Sequence, residues 1–173
     1  HSVLARLTHD EQWVLIRCSL FDVLDTSLVK SLFQNQGKLR VFKELCKNKV
    51  FLNSAPLQGT LQTYTIYPLF KIYLQELFQE IVSEKERIEL LFQAGHVYEQ
   101  KSERLKALPC FLEAEAFDRA LHILQQIDCV TLDSDQEHCL AMLLERFPAH
   151  LQKNEPWILL SKGGICGEGL SST

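Results

Sequence analysis

Apolar residues recur three and four apart along most of the chain, and the places where that recurrence breaks divide it into helices. Thr8-His9-Asp10-Glu11 has capping-box spacing, in which the Thr8 hydroxyl and the Glu11 carboxylate each satisfy a backbone N–H that the first helical turn leaves open. A helix therefore starts there, with Trp13, Ile16 and Leu20 on its buried side and Cys18 and Phe21 nearby. Asp25 caps a second, shorter helix carrying Leu28, Val29, Leu32 and Phe33, and Asn35-Gln36-Gly37 ends it. A third helix over 38–48 sets Leu39, Phe42, Leu45 and Cys46 on one face and Lys38, Arg40, Lys43, Lys47 and Lys49 around the rest. The period then changes: Val50-Phe51-Leu52 and residues 62–66 read as strands, separated by the turn formers Asn53-Ser54-Ala55-Pro56 and Gln58-Gly59. Three helices followed by a β-hairpin make a winged helix over 1–67.

Pro68 suits the first position of a helix, where a missing N–H costs nothing, and Leu69, Phe70, Tyr73, Leu74, Leu77, Phe78 and Ile81 keep helical spacing behind it. Residues 68–82 are expected to form a hinge helix between two parts. Ser83-Glu84-Lys85-Glu86 is a second capping box, opening a helical arm over 83–162. Within it Gly95, Tyr98, Ala107, Phe111 and Ala114 fall at the relative spacing of the tetratricopeptide signature. Gly95 and Ala107 would let two antiparallel helices approach while Tyr98 and Phe111 fill the space between them. The second helix, over about 105–115, contains Pro109, which is tolerable in the first turn or two but would bend the helix later. Phe117 restarts a helix through Gln126, Asp133-Ser134-Asp135 caps another through Glu145, and Phe147-Pro148 stops it. A further pair begins near Pro156-Trp157, and residues 163–173 form a glycine-rich tail. The fold class is mainly α: a winged helix followed by antiparallel, tetratricopeptide-like helix pairs.

Composition narrows the functions. With 46% apolar and 23% charged residues, the 173-residue chain is a packed protein of one ordinary domain or two small ones. It lacks both an apolar run long enough to span a bilayer and the regions of a signal peptide, so a cytoplasmic protein without membrane contact is expected. Six scattered cysteines form no CxxC pair and no zinc spacing, and are read as reduced core thiols; His138-Cys139 are neighbours that point in different directions on a helix. Nine basic against seven acidic residues give 1–82 a net charge of +2, while nine against fifteen give 83–173 a net of -6. That balance is not the basic excess of a nucleic-acid-binding domain.

The third helix invites a DNA reading, in which its lysines and arginine neutralise phosphates. It offers no Asn, Gln or Arg cluster at its N-terminal end for base edges, so Lys38, Arg40, Lys43 and Lys47 are read instead as a domain-contact face. The absence of a GxxxxGK[ST] loop, a GxSxG elbow or an HExxH helix argues against catalysis, and the chain is expected to bind no cofactor or metal of its own.

The order of these pieces resembles the middle of the LuxR-family ATP-dependent activators related to the maltose-regulon activator MalT. The residues that carry the likeness are Glu44-Leu45 and Val50-Phe51-Leu52, then Tyr64-Thr65-Ile66-Tyr67-Pro68-Leu69-Phe70 where the family has a strand ending in His-Pro-Leu-Phe, then Ala94-Gly95 and Tyr98. Residues 107–124, ALPCFLEAEAFDRALHIL, resemble the family's EAIxHALAAGDxxxAAxLI. Such proteins are signal-transduction ATPases, with a nucleotide-binding domain, a winged helix, a helical arm, a repeat-built sensor and a C-terminal helix-turn-helix. The resemblance implies a segment that relays a signal, whose partners are its own nucleotide-binding domain and sensor repeats, with ATP or ADP bound elsewhere in the parent. It also implies a nucleotide-sensing position, since the family's histidine reaches toward the phosphates of bound ADP; here Tyr67 stands in its place, and Glu115-Ala116 replaces the family's Ala-Gly turn. A second reading is a free-standing helical-repeat scaffold that binds a partner protein.

Overall fold

The computed structural model describes residues 4–49, 51–55 and 62–167. The chain divides into two compact units, His1–Glu86 and Arg87–Thr173.

In the first unit a single 3-10 turn, Leu4–Arg6, precedes α1 (His9–Cys18), which opens on the expected capping box. The Glu11 N–H donates to Thr8 Oγ1 at 3.2 Å and the Thr8 N–H donates to the Glu11 carboxylate at 2.8 Å. Arg17 is almost fully buried, which is tolerable because its Nε donates to Glu86 at 2.6 Å and its guanidinium lies 3.9 Å from the centre of the Trp13 ring. A two-residue strand, β1 (Leu24–Asp25), leads into α2 (Thr26–Phe33), whose first turn is closed by the Asp25 carboxylate accepting from the Ser27 and Leu28 N–H groups. Leu28, Val29, Leu32 and Phe33 are buried.

Asn35-Gln36-Gly37 does not end that helix by a turn of its own. Gln34 ends it in the left-handed region (φ 43°), and Asn35 caps α3 (Gln36–Asn48) by accepting from the Gly37 and Lys38 N–H groups. Asn35 is a strong N-cap, so it starts a helix at a place where its type equally suits a turn. α3 buries Leu39, Phe42, Leu45 and Cys46, the face its periodicity defines.

β2 (Leu52–Ala55) and β3 (Thr63–Ile66) pair antiparallel, Leu52 opposite Ile66 and Ala55 opposite Thr63. Asn53, Ser54 and Ala55, expected in the turn, are therefore strand residues, because β3 supplies backbone partners opposite each. Val50 and the turn residues Pro56, Gln58 and Gly59 lie outside the described residues. β1 pairs with the other edge of β3, so the sheet order is β1-β3-β2. Helices α1, α2 and α3 with this small sheet form a winged helix.

The helix expected as a hinge, α4 (Pro68–Ile81), lies within the first unit. It packs on α1, buries Leu74 and Phe78, and places Gln75 so that its Nε2 donates to the Ser19 carbonyl at 3.1 Å. The first unit runs on past α4 to Glu86. Apolar spacing alone marks a helix, not which neighbour covers it.

The second unit is helical throughout its described residues. It takes in most of α5 (Glu84–Gln100), then α6 (Arg104–Glu113), α7 (Phe117–Gln125), a 3-10 turn at Cys129–Thr131, α8 (Ser134–Leu144), α9 (Ala149–Asn154) and α10 (Pro156–Gly167). Its core holds Leu108, Phe111, Ile123, Leu124, Leu140, Leu144 and Ile158, drawn from α6, α7, α8 and α10. Asp133 caps α8 with Gln136 completing a capping box. Both α5 and α6 end in Schellman motifs: Glu103 N–H donates to the Tyr98 carbonyl and Ala116 N–H to the Phe111 carbonyl, each at 2.9 Å. The left-handed position of each motif is not glycine but Ser102 (φ 61°) and Glu115 (φ 55°). Pro109 lies inside α6, which continues past it. α10 runs through Gly163 and Gly164 to Gly167, so the segment expected as a tail from 163 is helical up to there; residues 168–173 lie outside the described residues.

Candidate interaction face

α3 presents the four basic residues singled out in the sequence, and the structure separates them into two pairs. Lys38, near the start of the helix, is held on α1: its Nζ lies 2.5 Å from Asp10 Oδ1 and 4.7 Å from the centre of the Trp13 ring. Hydrogen bonding and charge from Lys38 hold the Asp10 carboxyl below the usual carboxylate range. Arg40 pairs one turn along with Glu44 at 3.2 Å. Both of these charges are answered within the fold.

Lys43 and Lys47 differ. They are exposed, one turn apart, and join Lys49, whose backbone is left-handed (φ 50°), around a cavity of about 350 Å³. Phe42, Cys46 and Tyr64 form its apolar side, and Thr26 and Gln62 complete the wall. Phe42 and Tyr64 meet edge to face with ring centres 5.9 Å apart. Burial pushes the Cys46 thiol up to about 12, partly offset by the hydrogen bond from the Tyr64 hydroxyl, while burial also raises Tyr64. Among the described residues no carboxylate pairs with Lys43, Lys47 or Lys49. Lys49 closes α3 two residues after Lys47, but Thr26 and the Gln62–Tyr64 stretch are remote from that helix in sequence, so no spacing joins them to the lysines.

The N-terminal end of α3 corrects one expectation. The helix starts at Gln36, two residues before the expected start, so Asn35 and Gln36 are at its N-terminal end. The Asn35 side-chain oxygen is spent on the Gly37 and Lys38 N–H groups, which leaves Gln36 as the uncommitted amide.

Tyr67 lies between β3 and α4. Its N–H donates to the Phe51 carbonyl at 3.2 Å, its carbonyl accepts from the Lys71 N–H at 2.8 Å, and its side chain is 40% exposed. Leu69 and Ile72 beside it are 85% and 56% exposed, so this end of α4 carries an open apolar surface. Nearby, Phe51 and Phe70 pack with ring centres 4.7 Å apart.

In the second unit, a Cβ at Gly95 would lie 2.8 Å from two ring carbons of Phe111, so the glycine is there because the ring leaves no room. Phe111, Ala107 and Ala114 are buried, and Tyr98 packs against the same core. Phe92 and His96 hold the Phe111 ring edge to face at 5.7 and 5.3 Å between ring centres. Sequence reasoning missed the polar clasp beside them, in which Glu99 of α5 accepts from Arg119 of α7 at 2.6 Å. Among the described residues no group of three or more His, Cys, Asp and Glu could hold a metal ion, Cys139 is exposed beside His138, and no helix is long and apolar enough to cross a membrane.

Three packed helices, a short strand before α2 and a β-hairpin after α3 define a winged-helix protein. The particular family follows from the sequence: residues 1–87 match the model of the MalT winged helix domain, and the chain belongs to that family. Among curated proteins, none matches the chain.

Proposed function

We propose that this chain is a non-catalytic regulatory and interaction segment of an ATP-dependent transcriptional regulator of the LuxR, MalT-like class. In this reading it relays a signal between a nucleotide-binding domain and a sensor and DNA-binding region that lie elsewhere in the parent protein. The observation that carries the reading is the family match over 1–87, which includes Tyr67 and α4. Tyr67 is exposed at the position of the family's histidine, beside the uncovered Leu69 and Ile72, as a contact with a nucleotide-binding partner requires. A tyrosine donates one hydrogen bond but carries no positive charge near neutral pH, so its grip on the phosphates of ADP would be weaker than a histidine's. The ATP or ADP belongs to the parent, and the working compartment is the cytoplasm. The Gly95–Phe111 contact supports a tetratricopeptide-like pairing of α5 with α6, which would begin a superhelix for an effector or partner.

The second reading is a free-standing scaffold. It is favoured by Met142, Trp157, Leu159 and Leu160, large apolar side chains that are 61%, 44%, 49% and 66% exposed on α8 and α10. Sequencing the reading frame in both directions separates the two. The regulator needs a GxxxxGK[ST] phosphate loop upstream and a helix-turn-helix downstream; a frame with neither leaves the scaffold.

A further inference from the structure

The basic stripe of α3 is not one surface, and the half that the fold leaves unanswered borders an open cavity of small-molecule size. Lys38 and Arg40 are committed to Asp10 and Glu44. Lys43, Lys47 and Lys49 converge on a cavity of about 350 Å³, within the size range of ligand pockets. Among the described residues no acidic side chain lines it. Asp25, the residue before Thr26, spends its carboxylate on the first turn of α2 and on the Ser27 hydroxyl. Lys43, Lys47 and Lys49 are exposed and stand around one concavity, so their positive charges act together on whatever enters it. An anion of high charge density is attracted by all three at once. The ammonium groups suit phosphate oxygens, since each is a compact point charge with three donors, and the Thr26 hydroxyl and Gln62 amide add neutral polar groups. The aromatic side gives a flat organic part of the ligand somewhere to rest.

We propose that this cavity is a binding site for a small phosphorylated ligand, gripped by Lys43, Lys47 and Lys49 and backed by Tyr64. The site is distinct from Tyr67 and from Lys38, and it stands whether or not the chain is part of an ATP-dependent regulator. Its ligand is set by charge density and size rather than by base identity, so pyrophosphate alone is enough to reveal it.

The test titrates pyrophosphate into isotopically labelled protein and follows the backbone and lysine signals. Saturable shifts centred on Lys43, Lys47 and Lys49 are expected. Lys43→Gln with Lys47→Gln should weaken the dissociation constant by about tenfold or more, through loss of two of three charge-assisted contacts. Arg40→Gln, on the same helix but outside the cavity, should leave it unchanged. All three substitutions are at exposed positions, and an unchanged melting temperature verifies folding. Absence of saturation, or an equal loss in Arg40→Gln, overturns the proposal. Tighter binding of a hexaglutamate peptide or of a DNA duplex than of pyrophosphate, lost in the same double variant, also overturns it by assigning the lysines to a macromolecule.

Discussion

Gly95 and the buried thiols show how much single side chains decide in a chain of this size. A methyl group at residue 95 meets the Phe111 ring at 2.8 Å, and that ring is fully buried with Phe92 and His96 of α5 edge to face against it, so moving it disturbs the packing around it. Gly95→Ala should therefore destabilise the second unit by about 1 to 3 kcal/mol despite alanine's better helix propensity, and Phe111→Leu in the same chain should recover part of that loss. Urea unfolding of the single and double variants measures both. Burial raises Cys18, Cys46 and Cys110, the latter two to about 12 from an ordinary 9.0. The sign follows from the folded pKa being the higher one. These thiols stay protonated in the folded chain while the unfolded chain ionises, so their contribution is whole below about pH 9 and is lost as pH rises toward 12. The melting temperature should be level near pH 8 and fall steadily above about pH 9. At neutral pH a thiol reagent should label Cys139 at once and leave Cys18, Cys46 and Cys110 until urea opens the chain.

At the scale of elements, what was legible was whatever repeats. The buried faces of α2 and α3 are the ones the 3.6-residue period marks, and Thr8, Asp25 and Asp133 cap helices because their oxygens have one nearby use. β1 was not legible, since two residues cannot show a period and Leu24 and Asp25 are strand only because β3 lies beside them. Asn53 to Ala55 and Asn35-Gln36-Gly37 are types that suit turns, and only the sheet partner and the capped helix decide otherwise. The candidate site was half legible. Lys43 and Lys47 follow from helical spacing, but the pairing of Lys38 with a carboxylate 28 residues earlier and the arrival of Tyr64 and Gln62 at the cavity depend on tertiary packing. The Schellman turns carry their own prediction. Ser102 and Glu115 occupy left-handed backbone that glycine adopts without strain, so Ser102→Gly and Glu115→Gly should each raise stability by roughly 0.5 to 1 kcal/mol, and together by about the sum because the turns are separate. Denaturant midpoints check it; a drop in either variant would mean that the side chain at that turn makes a contact worth more than the strain.

For the whole molecule, a MalT-type winged helix with α4 closed onto it is one unit, and a helical stack is the other. The sequence contains no GxxxxGK[ST] motif, so the chain should bind ATP no tighter than about 10 μM by calorimetry, with any weak signal removed by Lys43→Gln and Lys47→Gln together. A relay has to do more than avoid chemistry: it has to hold its nucleotide-binding partner differently in the two nucleotide states. The most direct test of the relay reading adds the nucleotide-binding domain which that reading places in the parent, as a separate chain, to this protein and compares the dissociation constant with ADP and with a non-hydrolysable ATP analogue. The relay reading predicts a complex that is at least about tenfold tighter with ADP and is strengthened further by Tyr67→His. No complex, or one of equal affinity in both states, would contradict it.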